Sequence, residues 1–355
     1  MHEDEQGNLN KLDPENMLSH IKLLPEQFHH AWKLGNELPL PTVKGVSQVL
    51  IAGMGGSAIG GDLLANYVKS SCTVPVFSHR DYGLPAWAKD EHTLVICSSH
   101  SGNTEETLSA FDSAIENGCS IMTLSTGGKL AEKAKNAGVT AWVFDHEGQP
   151  RTAIGYSFGL LLALFARLGL VNEKDEIVQG AIRAMKSQQG RIGNESGLSV
   201  NPAKRLAGQL YGRYVSIFAA GEFEVVARRW KTQINELAKA WAQFEGLPET
   251  DHNTLAGLEN PEEQLEKVAA IFLTAKSDYP RNALRIKFTK QKFMLQGLGV
   301  DEVKASGDSR LAEMWTLLHF GDYVSYYLAL MYQVDPTPVA TLSELKKFLS
   351  SQQEF

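Results

Sequence analysis

Two doubly wound α/β units, each a parallel sheet with helices on both faces, are predicted for this 355-residue chain on three observations. Short β-branched apolar runs alternate with helical segments. Two of those runs end in loops rich in glycine or hydroxyl residues, as strand-to-helix turns that hold ligands do. The alternation restarts about three-fifths of the way along, so the halves echo each other in architecture though not residue by residue.

Residues 15–38 read as a leading helix, with Met17, Ile21, Leu24, Phe28, Ala31 and Trp32 near helical spacing. VSQVLIAG (46–53) is a buried strand and SAIGGDLLANYVKS its helix. VPVFSH (74–79) and TLVICSS (93–99) are the next strands, the latter followed by the helix NTEETLSAFDSAIENG. SIMTLST (120–126), the helix KLAEKAKNAG and TAWVFDH (140–146) complete the first unit. Residues 151–200 read as helical, with a polar connection at 188–202. YVSIFAAG (214–221) opens the second unit. A long helix follows, its apolar stripe Val226, Trp230, Ile234, Leu237, Trp241 and Phe244. VAAIFLTA (268–275) is the next strand, ALRIKFTKQKFMLQGLG a strand with a helix start, and SRLAEMWTLLHFGDYVSYYLALMYQ helical. The expected division is a helical extension at 1–40, a first domain at 41–150, a helical connection at 151–205 and a second domain with C-terminal helices at 206–355.

Composition narrows the function classes. Hydrophobic residues make up 43% and charged residues 21%, as in ordinary globular domains. A net charge of −7 argues against a broad nucleic-acid surface. Cys72, Cys97 and Cys119 are scattered and odd in number, which fits a reduced, cytoplasmic setting. The acidic, polar first twenty residues carry no signal-peptide pattern. The most apolar stretch, 154–166, is too short to span a bilayer, which takes about 20 residues. Neither membrane anchoring nor a metal site is expected; His29 and His30 are sequential on a helix, so their side chains diverge.

Two loops carry the first chemistry. Gly53 to Gly61 lies between strand and helix, where close backbone approach and helix N-terminal amides suit an anion. It only nearly satisfies a dinucleotide fingerprint, and the acidic residue expected after the second strand is absent: that strand ends Ser78-His79-Arg80. The loop Ser99 to Thr107 places hydroxyls at 99, 101 and 104 beside free helix amides. Capping by Ser101 explains one hydroxyl, not three, so a phosphate cradle is expected.

GMGGSAIGG followed by SSHSGNTEET resembles a sugar isomerase (SIS) domain, a flavodoxin-like fold. Pro150–Tyr156, Asn201–Lys204, Arg229–Lys239, Pro248–Asn253 and Gly321–Ser325 occur in order. Together these resemble the bifunctional phosphoglucose/phosphomannose isomerase family, from about residue 40 to the C-terminus. The resemblance implies an aldose–ketose isomerase of glucose 6-phosphate or mannose 6-phosphate and fructose 6-phosphate, acting through a cis-enediol without a cofactor. It implies phosphate binding by Gly56, Ser57, Ser99, Ser101 and Thr104, with Glu236 as base and Arg151 stabilising the enediolate. It further implies that His252 and Lys346 open the ring, with Lys347 the alternative lysine. The histidine comes from a neighbouring subunit, so a homodimer with a shared active site is implied.

The residues support part of this on their own. Arg229, Gln233 and Glu236 lie along one flank of their helix, where a carboxylate is partly desolvated. The chain departs from the family pattern at His100, where a tyrosine is usual, and at Leu237, where an asparagine is. His100 is expected to point away from its serine neighbours, and Leu237 to join the apolar stripe. Two rival readings stay open: a non-catalytic sugar-phosphate sensor, and an isomerase of a different phosphosugar.

Overall fold

The computed structural model describes residues 11–352. Helix α1 (Met17–Lys22) and helix α2 (Leu24–Glu37) replace the single leading helix, because Pro25 in the first turn of α2 cannot continue α1. The first sheet contains β1 (Gln48–Ala52), β2 (Val76–His79), β3 (Thr93–Ser98), β4 (Ser120–Ser125) and β5 (Thr140–Val143). All its pairings are parallel, in the order β2-β1-β3-β4-β5. Helices α3 (Gly55–Val68), α4 (Glu105–Glu116) and α5 (Gly128–Asn136) connect them.

A 3-10 turn at Pro150–Thr152 leads into α6 (Ile154–Arg167), α7 (Asp175–Ile192) and α8 (Pro202–Leu210). The second sheet follows as β6 (Tyr214–Ala220), α9 (Glu224–Leu237), β7 (Ala242–Leu247), a short α10 (Glu262–Leu265) and β8 (Val268–Thr274). Then come α11 (Pro280–Leu295), β9 (Gly299–Lys304), α12 (Arg310–Met331) and α13 (Ala340–Ser351). This sheet too is parallel, in the order β7-β6-β8-β9.

The second half departs from its expected elements at three places. Helix α9 ends at Leu237, and the proposed continuation of its stripe is broken: Lys239 takes the left-handed conformation at φ 53°, and Trp241 is exposed. Phe244 belongs to the edge strand β7. The segment 283–299, expected to hold a strand, is helical through Leu295 as the body of α11, which buries Ile286, Thr289 and Phe293 at helical spacing. The outer strand is β9, whose sequence GVDEVK is half exposed. Both missed strands lie at sheet edges, where solvent on one side admits polar residues and blurs the apolar run that marks a central strand.

The core runs between the sheets. Helix α6 is buried along almost its whole length, and α12 is buried from Leu311 to Ala329. Phe28 stacks on Trp315 and Phe158 meets both edge-on where α2, α6 and α12 come together, so the N-terminal helices belong to the same core as both sheets. Among the described residues no helix is long and apolar enough to cross a membrane.

Candidate active site

Strand order places the first cluster. In a parallel sheet ordered 2-1-3-4-5, the chain leaves β1 and β3 in opposite directions, and a crevice opens beyond their carboxyl ends. Ala52 of β1 pairs with Cys97 of β3, so the loops at Gly53 and Ser98 emerge side by side. Ser57, in the first turn of α3, and Ser99 are both buried. The Ser57 hydroxyl accepts the His100 N–H at 3.0 Å, which ties the two loops together. Ser99 Oγ lies 2.9 Å from Thr104 Oγ1 and accepts the Gly102 N–H at 3.1 Å. Ser101 is exposed and accepts the Asn103 N–H at 3.2 Å, while the cap of α4 is Thr104; Ser101 is therefore not spent on capping that helix.

Two glycines make this geometry possible. Gly102 has φ +67°, and a Cβ on it would lie 1.9 Å from the carbonyl oxygen of Gly127. A Cβ on Gly56 would lie 2.6 Å from the carbonyl oxygen of Pro150, so the N-terminus of α3 packs directly on the turn that carries Arg151.

Arg151 is buried, with its side chain 5% exposed. Its Nη1 lies 3.4 Å from Oε2 of Glu236, and its Nη2 donates to the carbonyls of Pro336 and Thr337. Burial lowers the Arg151 pKa and the adjacent Glu236 carboxylate raises it, with burial the larger effect. The flank foreseen on α9 is real: Arg229 and Gln233 are buried, and Glu236 is partly covered. Arg229 donates to both carboxylate oxygens of Asp322 and, at 2.9 Å, to the main-chain carbonyl of Arg151. A buried arginine fork thus fixes the backbone beneath the presented guanidinium. Arg151 Nε and Gln233 Oε1 are buried with no partner among the described residues. The start of α3, with its hydroxyl cluster, thus packs on the turn whose arginine meets the Glu236 carboxylate.

His252 and Lys346 are not brought there within the chain. His252 ends a 3-10 turn, Glu249–His252, that is anchored by Asp251 to Arg285 and Thr289 of α11. That turn follows the carboxyl end of β7, whereas Glu236 closes the helix that precedes its amino end. A strand of six residues spans about 20 Å, which separates His252 from Glu236 of the same chain. Lys346 and Lys347 are exposed on α13, a helix with no buried residue.

Comparison with known proteins bears on the whole chain. Residues 199–349 match the family model described as bacterial phospho-glucose isomerase C-terminal SIS domain. A bifunctional phosphoglucose/phosphomannose isomerase from Caldicellulosiruptor bescii is 41% identical over 338 residues, covering 94% of this chain and 99% of that one. The chain belongs to the bifunctional phosphoglucose/phosphomannose isomerase family.

A second member of the family, from Aquifex aeolicus, is 35% identical over 304 residues, covering 85% of this chain and 90% of its own. The fold is shared more widely: a crystal structure of a hypothetical protein from Thermus thermophilus superposes with a TM-score of 0.74 at 15% identity, over 97% of this chain and 92% of that one. The family motifs also contain residues to which the sequence alone assigns no role. Asp322, inside the Gly321–Ser325 motif, is the counterion of Arg229. His146 carries no sequence signal; its Nδ1 meets His100 Nε2 at 2.9 Å. His100 does leave its serine neighbours, and Leu237 is buried in the core, so neither departure from the family pattern disturbs the hydroxyl cluster. Lone residues of these kinds have no telling spacing, and only tertiary contact reveals them.

Proposed function

We propose that the protein interconverts glucose 6-phosphate and mannose 6-phosphate with fructose 6-phosphate. The observation that carries this reading is the approach of Arg151 to Glu236 at 3.4 Å, beside a neutral hydroxyl cradle, in a chain of this family. Gly56, Ser57, Ser99, Ser101 and Thr104 bind the phosphate with neutral donors and the amides at the start of α3 and α4. Holding the substrate by this remote group positions its reacting carbons. Glu236 takes the proton from C2 of the open-chain aldose and returns it to C1, while a hydroxyl proton moves from O2 to O1. Nothing is gained or lost overall, so the proposed reaction needs no cofactor. Arg151 stabilises the charge that develops on the enediolate. Glucose and mannose 6-phosphates differ only at C2 and converge on one enediol, so dual specificity needs only proton transfer on either face.

Ring opening is the part assigned to His252 and Lys346, in a homodimer whose partner completes each site. The separation of His252 from Glu236 within one chain supports this. So does α13, whose Leu342, Leu345, Phe348 and Leu349 are 46–60% exposed and form an apolar surface that a second copy would cover. Cys72, Cys97 and Cys119 are unpaired thiols, which suits a cytoplasmic enzyme. The deciding experiment is a coupled assay of fructose 6-phosphate formation from each aldose separately, with Glu236→Gln alongside. Turnover of both sugars that collapses in the variant supports the reading. Turnover of neither, with a phosphosugar still raising Tm, would assign the cradle to another sugar or to a sensor.

A further inference from the structure

The hydroxyl loop after β3 and the turn bearing Arg151 are separate segments of the chain, and one pair of imidazoles joins them. His100 contributes through its N–H, its carbonyl and its ring Nε2. Its N–H donates to Ser57 Oγ at 3.0 Å, and its carbonyl accepts from the N–H and hydroxyl of Thr126 at 2.9 and 2.8 Å. Its ring Nε2 meets Nδ1 of His146 at 2.9 Å. His146 Nε2 in turn lies 3.5 Å from the hydroxyl oxygen of Thr152, the residue that follows Arg151.

The protons in this chain of contacts have one consistent arrangement. Thr152 Oγ1 donates to the carbonyl of Gln149 at 2.8 Å, so its oxygen is the acceptor for His146. That assigns the His146 proton to Nε2 and leaves its Nδ1 to accept from His100 Nε2. Around the pair stand Phe144, His20 with its ring 5.8 Å from that of His146, Asp145, and Tyr156, whose hydroxyl lies 3.1 Å from His30 Nδ1. Burial lowers the pKa of both imidazoles, His146 to about 4, so each ring is neutral near pH 7.

We infer that His100 and His146 are positioning residues that hold the phosphate loop in register with the Arg151 turn, and thereby set the affinity for the phosphate group of the substrate. This rests on the isomerase reading above. The pair is one hydrogen bond removed from Ser57 on one side and one residue from Arg151 on the other, so its loss loosens the cradle against the guanidinium without touching Glu236.

His146→Leu removes the acceptor, whereas His146→Asn retains a carbonyl oxygen close to the place of Nδ1. The measurements are KM and kcat for glucose 6-phosphate near neutral pH, and Kd for inorganic phosphate by calorimetry. In H146L both KM and Kd rise by about threefold to tenfold, the range that one neutral buried hydrogen bond carries, while kcat stays within about twofold. H146N restores both constants to within about twofold of wild type. The double variant H100L/H146L loses no more than H146L alone, since both changes break one contact. An unaltered KM in H146L, a fall in kcat at constant KM, or an H146N as impaired as H146L would each overturn the inference. Where H146L does not fold, H100L and H146N are judged by the same constants. Absence of turnover in the wild type refutes the isomerase reading, and the phosphate Kd series then still decides whether the pair positions the loop.

Discussion

Arg151, in the 3-10 turn that precedes α6, and Glu236, near the end of α9, are 85 positions apart in the chain and meet at 3.4 Å. The contact is made by construction on both sides. Arg151 is gripped through its main-chain carbonyl by Arg229, which lies on the same helix as Glu236, and through its guanidinium by the carbonyls of Pro336 and Thr337. The carboxylate and the cation thus share one support, helix α9.

Replacing Glu236 by Gln keeps the shape of the side chain and removes the carboxylate proposed as the base. The expected loss in kcat is about 100-fold to 10,000-fold, the span of general acid–base catalysis, with phosphate Kd nearly unchanged. Steady-state kinetics paired with calorimetry separates the two effects.

Arg151→Lys keeps the charge but not the fork that reaches Glu236 and two carbonyls at once. The expected fall in kcat/KM is about 100-fold to 1,000-fold, comparable to losing an oxyanion donor. A variant with wild-type kinetics would remove Arg151 from the reacting centre.

Asp322→Ala leaves the Arg229 guanidinium buried without its counterion; the two side chains are 5% and 2% exposed. Breaking one partner of a buried pair costs about 3–5 kcal/mol. A urea melt should show that loss, with activity failing as Arg151 loses its support.

Shared sites have a distinctive signature. If His252 serves the partner, E236Q and H252A are each inactive as homodimers, yet half of the randomly mixed dimers hold one intact site. Activity returns to about a quarter of wild type on mixing. A mixture as inactive as its components would place His252 outside the partner's site.

The imidazole pair also predicts a pH dependence of stability. His146, with its pKa lowered to about 4 by burial and by His100 and His20, is neutral in the folded chain where the unfolded chain binds a proton. Between the unfolded value near 6.5 and about 4 the unfolded state takes up more protons, so stability falls as pH falls across that window and levels off below it. Asp278 works the other way: burial raises its carboxyl to about 6, so its contribution is lost as pH rises from about 4 to 6. Melting curves of wild type and H146N from pH 7 to 4 isolate the histidine, since the Asp278 contribution is common to both. An equal slope in the two proteins would show that His146 titrates normally.

Much of the molecule is written locally. The central strands β1, β3, β4, β6 and β8 are apolar runs because both their faces are buried, and the loops after β1 and β3 declare themselves by glycines and hydroxyls that only a turn or an anion requires. Arg229, Gln233 and Glu236 could be placed on one flank of a helix by its period alone. The edge strands β7 and β9 were not legible, because half-exposed strands carry polar residues and a neighbouring helix pattern runs into them. Nor could sequence show that Arg229 neutralises Asp322 and holds Arg151, that His146 reaches His100, or that a strand's length separates His252 from Glu236. Periodicity and turn chemistry act over a few residues and are encoded in neighbouring side chains. The pairing of charges and imidazoles from distant segments is settled by which helices pack between the two sheets, and that is decided by the burial of α6 and α12 across the whole chain.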